Sequence, residues 1–197
     1  MEIPDHPFAV YWYALGKFVH RYAEIELTLH QVLRIVSGLN EQTAKVIFSG
    51  ARVGGTKDMI KRFYTARKKP LPDELARAFE RIDSLTKARD RLLHNGIQFE
   101  RGKAIVTDES KNMAERAFKH TVSTADLDDL EADAITVNAC LNIFWIRERR
   151  PDLLNAPTHQ GWAELARSPW RYKQPKPMRP RSRIRSAVRE HKPPRGS

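Results

Sequence analysis

The sequence predicts an all-α fold, a four- to five-helix bundle with a small β-hairpin and a disordered basic C-terminal tail. Three observations carry this expectation. Apolar residues recur at helical spacing over several long stretches, Gly, Asn and Pro punctuate the intervals, and beyond residue 172 apolar residues nearly vanish. At 197 residues the chain suits one domain plus an extension. The expected division is a bundle over 1–150, a segment packing on it over 151–172, and the tail over 173–197.

Each element has its own signal. Phe8, Tyr11, Leu15, Phe18, Tyr22, Ile25, Leu29, Leu33 and Val36 form one face of a long first helix, with a break expected near Gly16 and a stop at Gly38 and Asn40. A second helix spans about 41–50. A loop follows, and Thr56 is expected to cap a third helix carrying Met59, Ile60, Phe63 and Tyr64. Pro72-Asp73 opens the best-defined helix, whose inner stripe reads Leu75, Ala78, Phe79, Ile82, Leu85, Arg89, Leu92 and Leu93 up to Asn95-Gly96. Short apolar runs on either side of Glu100-Arg101-Gly102-Lys103 suggest a hairpin over 97–107. Thr124 or Asp126 is expected to cap a last long helix ending before Pro151, after which Leu153, Leu154, Trp162, Leu165 and Trp170 offer packing surface.

The net charge of +11 is unevenly placed. Ten Lys or Arg and one acid fall within 171–197, which puts +9 there and leaves +2 for the rest. The tail is therefore an electrostatic handle on a nearly neutral body. Its five prolines beyond residue 172 and its scarcity of apolar residues leave too little burial to offset the entropy of ordering. The one cysteine, Cys140, lies in an apolar run and reads as a buried free thiol in a reducing compartment. No stretch reaches the roughly 18 consecutive apolar residues of a spanning helix, and the acidic opening Met1-Glu2-Ile3-Pro4-Asp5 lacks the order of a secretory signal. A cytoplasmic protein with no membrane partner is expected.

Arg89 stands out because it sits on an apolar stripe, where a guanidinium is costly to desolvate without an anion. His94 follows five positions later, about 140° around the helix, so both can address one anion. Asp90 lies one turn from His94 and is placed to orient its imidazole. The ordinary alternative is an arginine paired with a core acid and a histidine near a helix C-terminus, where the dipole favours a cation. Other motifs are weaker. Gly50 to Lys57 has the glycine spacing of a P-loop but reverses its Lys-Thr order and follows a helix. His20 and Glu24 lack a third ligand, so no metal and no cofactor is expected. Trp162, Trp170 and Tyr172 lie beside the tail, where they could stack on bases, but Trp162 and Trp170 are expected to pack onto the bundle instead.

Ala88-Arg89-Asp90-Arg91-Leu92-Leu93-His94-Asn95-Gly96 resembles the Arg-x4-His motif of HEPN ribonucleases, in which the residue after Arg is Asn, Asp or His and the His closes a late helix of a four- or five-helix bundle. Tyr22-Ala23-Glu24-Ile25-Glu26 is similar to an element of an earlier helix in that family, and the likeness covers about residues 8–149. The resemblance implies a homodimeric, metal-independent endoribonuclease in which Arg89, Asp90, His94 and Glu26 are catalytic. It is in keeping with a toxin or phage-defence role and with an antitoxin or other protein partner. Gly96 stands where members modified by a nucleotidyltransferase carry tyrosine, which argues against that modification. RNA contacts are expected from Arg91 and from Arg179, Arg181, Arg183 and Arg185 of the tail. The rival reading is a non-catalytic helical dimer that binds nucleic acid or an acidic partner through the tail.

If the tail forms no core, limited proteolysis trims the chain to near Tyr172 and leaves a helical, cooperatively melting body. Protection of 179–195 in the free protein would count against this.

Overall fold

The computed structural model describes residues 8–94, 97–100, 103–108 and 118–174. Asn95, Gly96, Arg179, Arg181, Arg183, Arg185 and the expectation of a disordered tail beyond Gln174 lie outside the described residues. Among the described residues the fold has six α-helices, one more than the upper expectation. They are α1 (Ala9–Ser37), α2 (Glu41–Phe48), α3 (Val53–Ala66), α4 (Asp73–His94), α5 (Thr124–Arg149) and α6 (Pro157–Arg167). A three-stranded antiparallel sheet, β1 (Ile97–Glu100), β2 (Lys103–Asp108) and β3 (Phe118–Thr121), sits between α4 and α5 in the chain, in the order β1-β2-β3.

Helix α1 runs unbroken through Gly16, contrary to the expected break. Leu15 and Phe18 are buried on either side of it, and this tertiary packing outweighs the modest helix penalty of one glycine. Its end does follow the glycine rule. Gly38 adopts a left-handed φ of 74°, and its N–H donates to the carbonyls of Arg34 and Ile35. Asn40 does not stop α1 but caps α2, its side chain accepting from Thr43 N at 2.9 Å.

The caps of α3 and α5 differ from expectation. Arg52 occupies the N-cap of α3 with no side-chain cap bond, and Thr56 lies inside the first turn with its hydroxyl buried and unbonded. For α5 the cap is Ser123, not Thr124 or Asp126. Its hydroxyl accepts from Asp126 N at 3.1 Å, and the Asp126 carboxylate accepts from Ser123 N at 2.8 Å, a reciprocal capping box.

Helix α5 is the centre of the bundle. It buries Leu127, Leu130, Ala134, Val137, Ala139, Leu141, Phe144 and Ile146 around its whole circumference, as a helix packed on all sides must. It lies mainly against α1, α4 and α6, while α3 packs on α1. The sheet closes one end. Val106 of β2 is buried with Ala88, Leu92, Val122 and Leu130, and Phe99 of β1 stacks on Phe8 at 3.8 Å between ring centroids. Ile97 pairs with Val106 and Glu100 with Lys103, matching the expected hairpin, and Ile105 pairs with Thr121 of an unexpected third strand.

That sheet changes the inner face of α4. The buried row begins as expected with Leu75, Ala78, Phe79, Ile82 and Leu85 but ends on Ala88 and Leu92. Arg89 and Leu93, on the extrapolated stripe, are instead partly exposed, Leu93 at 41%. The reason is the neighbour: β2 and the start of α5 cover the Ala88–Leu92 side and leave the Arg89–Leu93 side open.

One carboxylate locks the C-terminal extension. Asp133 of α5 is 0% exposed and accepts from Arg81 of α4, including Nε at 2.9 Å, and from the backbone N–H of Arg171 at 2.7 Å and of Tyr172 at 3.1 Å. Arg77 adds bonds to the carbonyls of Ala166 and Ser168 at 2.8 and 2.7 Å, and its guanidinium lies 4.8 Å from the Trp170 ring. Trp162 and Trp170 pack against the core as expected, but Leu165 is 40% exposed and Ala166 and Tyr172 take its place inside. Cys140 is a buried free thiol whose pKa burial pushes up to about 11. No described helix is long and apolar enough to cross a membrane.

Truncating one member of a buried ion pair strands the other, so Asp133→Ala and Arg81→Ala are each expected to cost about 3–5 kcal/mol in urea unfolding. The double variant should cost far less than their sum. A loss below about 1 kcal/mol in either single variant, well short of that range, would mean that the pair does not hold the extension.

Candidate active site

The open side of α4 forms one wall of a cleft. Its last turns present Thr86, Arg89, Asp90 and His94, α1 supplies Tyr22 and Glu26, and the start of α3 supplies Arg52, Val53 and Gly54. The cleft measures about 280 Å³. All four residues expected to be catalytic therefore line one space, although Glu26 and His94 are far apart in sequence.

Tyr22 ties the walls together. Its hydroxyl hydrogen-bonds the Thr86 hydroxyl at 2.8 Å, and Thr86 donates in turn to the Ile82 carbonyl of its own helix. Burial raises the Tyr22 pKa above its ordinary value, so the phenol stays neutral through the physiological range. The Arg89 guanidinium lies 5.7 Å from the Tyr22 ring, which holds the arginine stem at the mouth instead of in the core.

The anion shared by Arg89 and His94 is Asp90 itself. Arg89 Nη1 donates to Asp90 Oδ1 at 2.9 Å, and His94 Nε2 lies 3.9 Å from the same oxygen. The second distance is an electrostatic contact and not a hydrogen bond. The His94 side chain is 67% exposed and that of Arg89 34%, so both retain donors that face solvent. Chemically, the cluster offers a guanidinium for an anion, an imidazole able to give or take a proton, and two carboxylates able to orient it or accept a hydroxyl hydrogen bond.

Arg91 points elsewhere. It lines a small recess with Ala88, Leu92 and Tyr172 on the neighbouring flank of α4. With the Gln174 amide turned so that its oxygen faces the guanidinium, Nη1 and Nη2 donate to it at 2.9 and 2.8 Å. The arginine paired with a core acid exists too, but at Arg81. Among the described residues no group of three His, Cys, Asp or Glu side chains is placed to hold a metal, and His20 contacts Glu24 alone at 3.4 Å.

Three members escaped the sequence reading. Tyr22 looked like one more apolar residue of α1, and Thr86 lay between stripe positions. Arg52 carried no signal beyond the glycine run that follows it. No protein family, curated protein or solved structure matches the chain.

Because His94 is largely solvated and Arg89 partly so, the cluster adds little to stability. Arg89→Ala and His94→Ala are each expected to change the unfolding free energy by no more than about 1 kcal/mol. A larger loss in denaturant titration would assign them a structural role.

Proposed function

We propose that the protein is a metal-independent endoribonuclease of HEPN type that works as a homodimer, in the manner of a toxin or phage-defence effector. The observation that supports this reading best is the convergence of Glu26, Arg89, Asp90 and His94 on one open cleft. A stabilising ion pair would be better sealed; an anion-binding site must stay reachable. His94 takes the proton of a ribose 2′-hydroxyl, the 2′-oxygen attacks the adjacent phosphorus, and the 5′-oxygen leaves with a proton returned by an acid. The products are a 2′,3′-cyclic phosphate and a 5′-hydroxyl. Arg89 stabilises charge gathering on the phosphoryl oxygens. Asp90, which accepts from Arg89 and lies beside His94, positions both, and Glu26 shares the cleft with them from α1.

The dimer finds support beside the cleft. Leu27, next to Glu26, is 63% exposed, and Leu93, next to His94, is 41% exposed. These exposed leucines, each next in sequence to a residue lining the cleft, offer apolar surface that a second copy would cover, bringing two motifs together.

In single-turnover cleavage of a mixed RNA pool, Arg89→Ala and His94→Ala are expected to lower the rate about 100-fold or more while RNA binding is retained. Cleavage should persist in excess EDTA, and sedimentation at micromolar concentration should give a dimer. Deleting 173–197 should instead weaken binding and flatten its salt dependence. If wild type leaves every RNA intact under conditions where it binds, the non-catalytic nucleic-acid-binding dimer replaces this reading.

A further inference from the structure

We propose that Arg52 is a second phosphate-binding residue of the cleft, holding a backbone phosphate next to the scissile one from the wall opposite Arg89. The inference rests on the nuclease reading for the identity of the ligand, single-stranded RNA, and on the geometry for the site.

Arg52 and Arg89 come from different elements, the N-cap of α3 and the last turns of α4, and both line the same opening. Their situations differ. Arg89 already has Asp90 at 2.9 Å, whereas no described residue pairs with Arg52, although two carboxylates, Glu26 and Asp90, line the cleft with it. An exposed guanidinium that no nearby acid captures keeps all five donors for a ligand.

The backbone behind Arg52 has the same polarity. Helix α3 begins without a side-chain cap and without an acid in its first turn, and its hydrogen-bond ladder opens with Thr56 N donating to Arg52 O at 2.9 Å. The amides of Val53, Gly54 and Gly55 are therefore uncommitted. Gly54 lines the cleft, and a Cβ built there would meet nothing within 4 Å, so a ligand can approach the amides. The helix end strengthens an anion site that the side chains define.

The carboxylates narrow the ligand class. Glu26 forms no ion pair among the described residues, and it would repel a bare anion that brought no donor of its own. A ribose beside each phosphate supplies that donor as a 2′-hydroxyl, which DNA lacks, so the cleft suits a ribose phosphodiester better than DNA.

The test uses the full-length protein carrying His94→Ala, which is expected to bind without cleaving, and a fluorescent single-stranded RNA with its 2′-hydroxyls intact, with anisotropy read across a salt series. Arg52→Ala is expected to weaken binding about tenfold and to lower the salt slope by about one, with Arg52→Lys recovering much of both. Arg62→Ala removes an equally exposed charge from α3 outside the cleft and should do neither. Cleavage of the same RNA below saturation should fall with Arg52→Ala alone by the factor seen in binding. Equal binding with and without Arg52→Ala in the His94→Ala background, or an equal loss with Arg62→Ala, overturns the proposal even if wild type cleaves RNA. A loss specific to Arg52→Ala with no cleavage by wild type upholds the phosphate site and removes the nuclease reading instead.

Discussion

The architecture hangs on the charge of Asp133. A carboxylate with no solvent exposure, inside the first half of the central helix, is tolerable only if its acceptor sites are filled. Arg81 fills part of that need from α4, and the chain returning through residues 171–172 fills the rest with its own amides. Three segments distant in sequence therefore meet at one point. The pairing fixes α4 on α5, and with α4 so seated its final turns stand beside α1 and α3. The cleft is a remote consequence of an ion pair that never touches it.

Two arginines on one helix illustrate how burial sorts like residues. Arg81 spends its donors inside the protein, on a carboxylate and on the Tyr172 carbonyl. Arg89, two turns later, meets a neighbouring acid at the surface and keeps the remainder of its fork in water. The difference comes from what packs nearby: α5 seals the first, while the small sheet draws the buried row toward Ala88 and Leu92 and leaves the second outside.

Long helices were legible because 3.6-residue periodicity accumulates over many turns, so α1, α4 and α5 fall where the apolar pattern places them. Short or tertiary-dependent features were not. The four residues of β3 give too little alternation to stand out, and Asp133 passes for a solvated acid because only its distant partners reveal that it is inside. The apolar stripe carried Arg89 inward since it assumes one neighbour along the whole helix. For the cleft, the part confined to one helical stretch, Arg89 to His94, could be read directly. Glu26 was reached only through the HEPN resemblance. Tyr22, Thr86 and Arg52 matter through contacts across helices, which linear spacing does not encode.

The anchoring of residues 166–174 also sets where the rest of the chain departs. Arg77, Arg81 and Arg91 hold that stretch in succession along α4, and Gln174 rests against Arg91, the residue after Asp90. Residues 175–197, with eight Lys or Arg and a single acid, follow directly on that anchor. Were that segment to grip the same polyanion as the cleft, the two contacts would add as avidity and not as independent affinities.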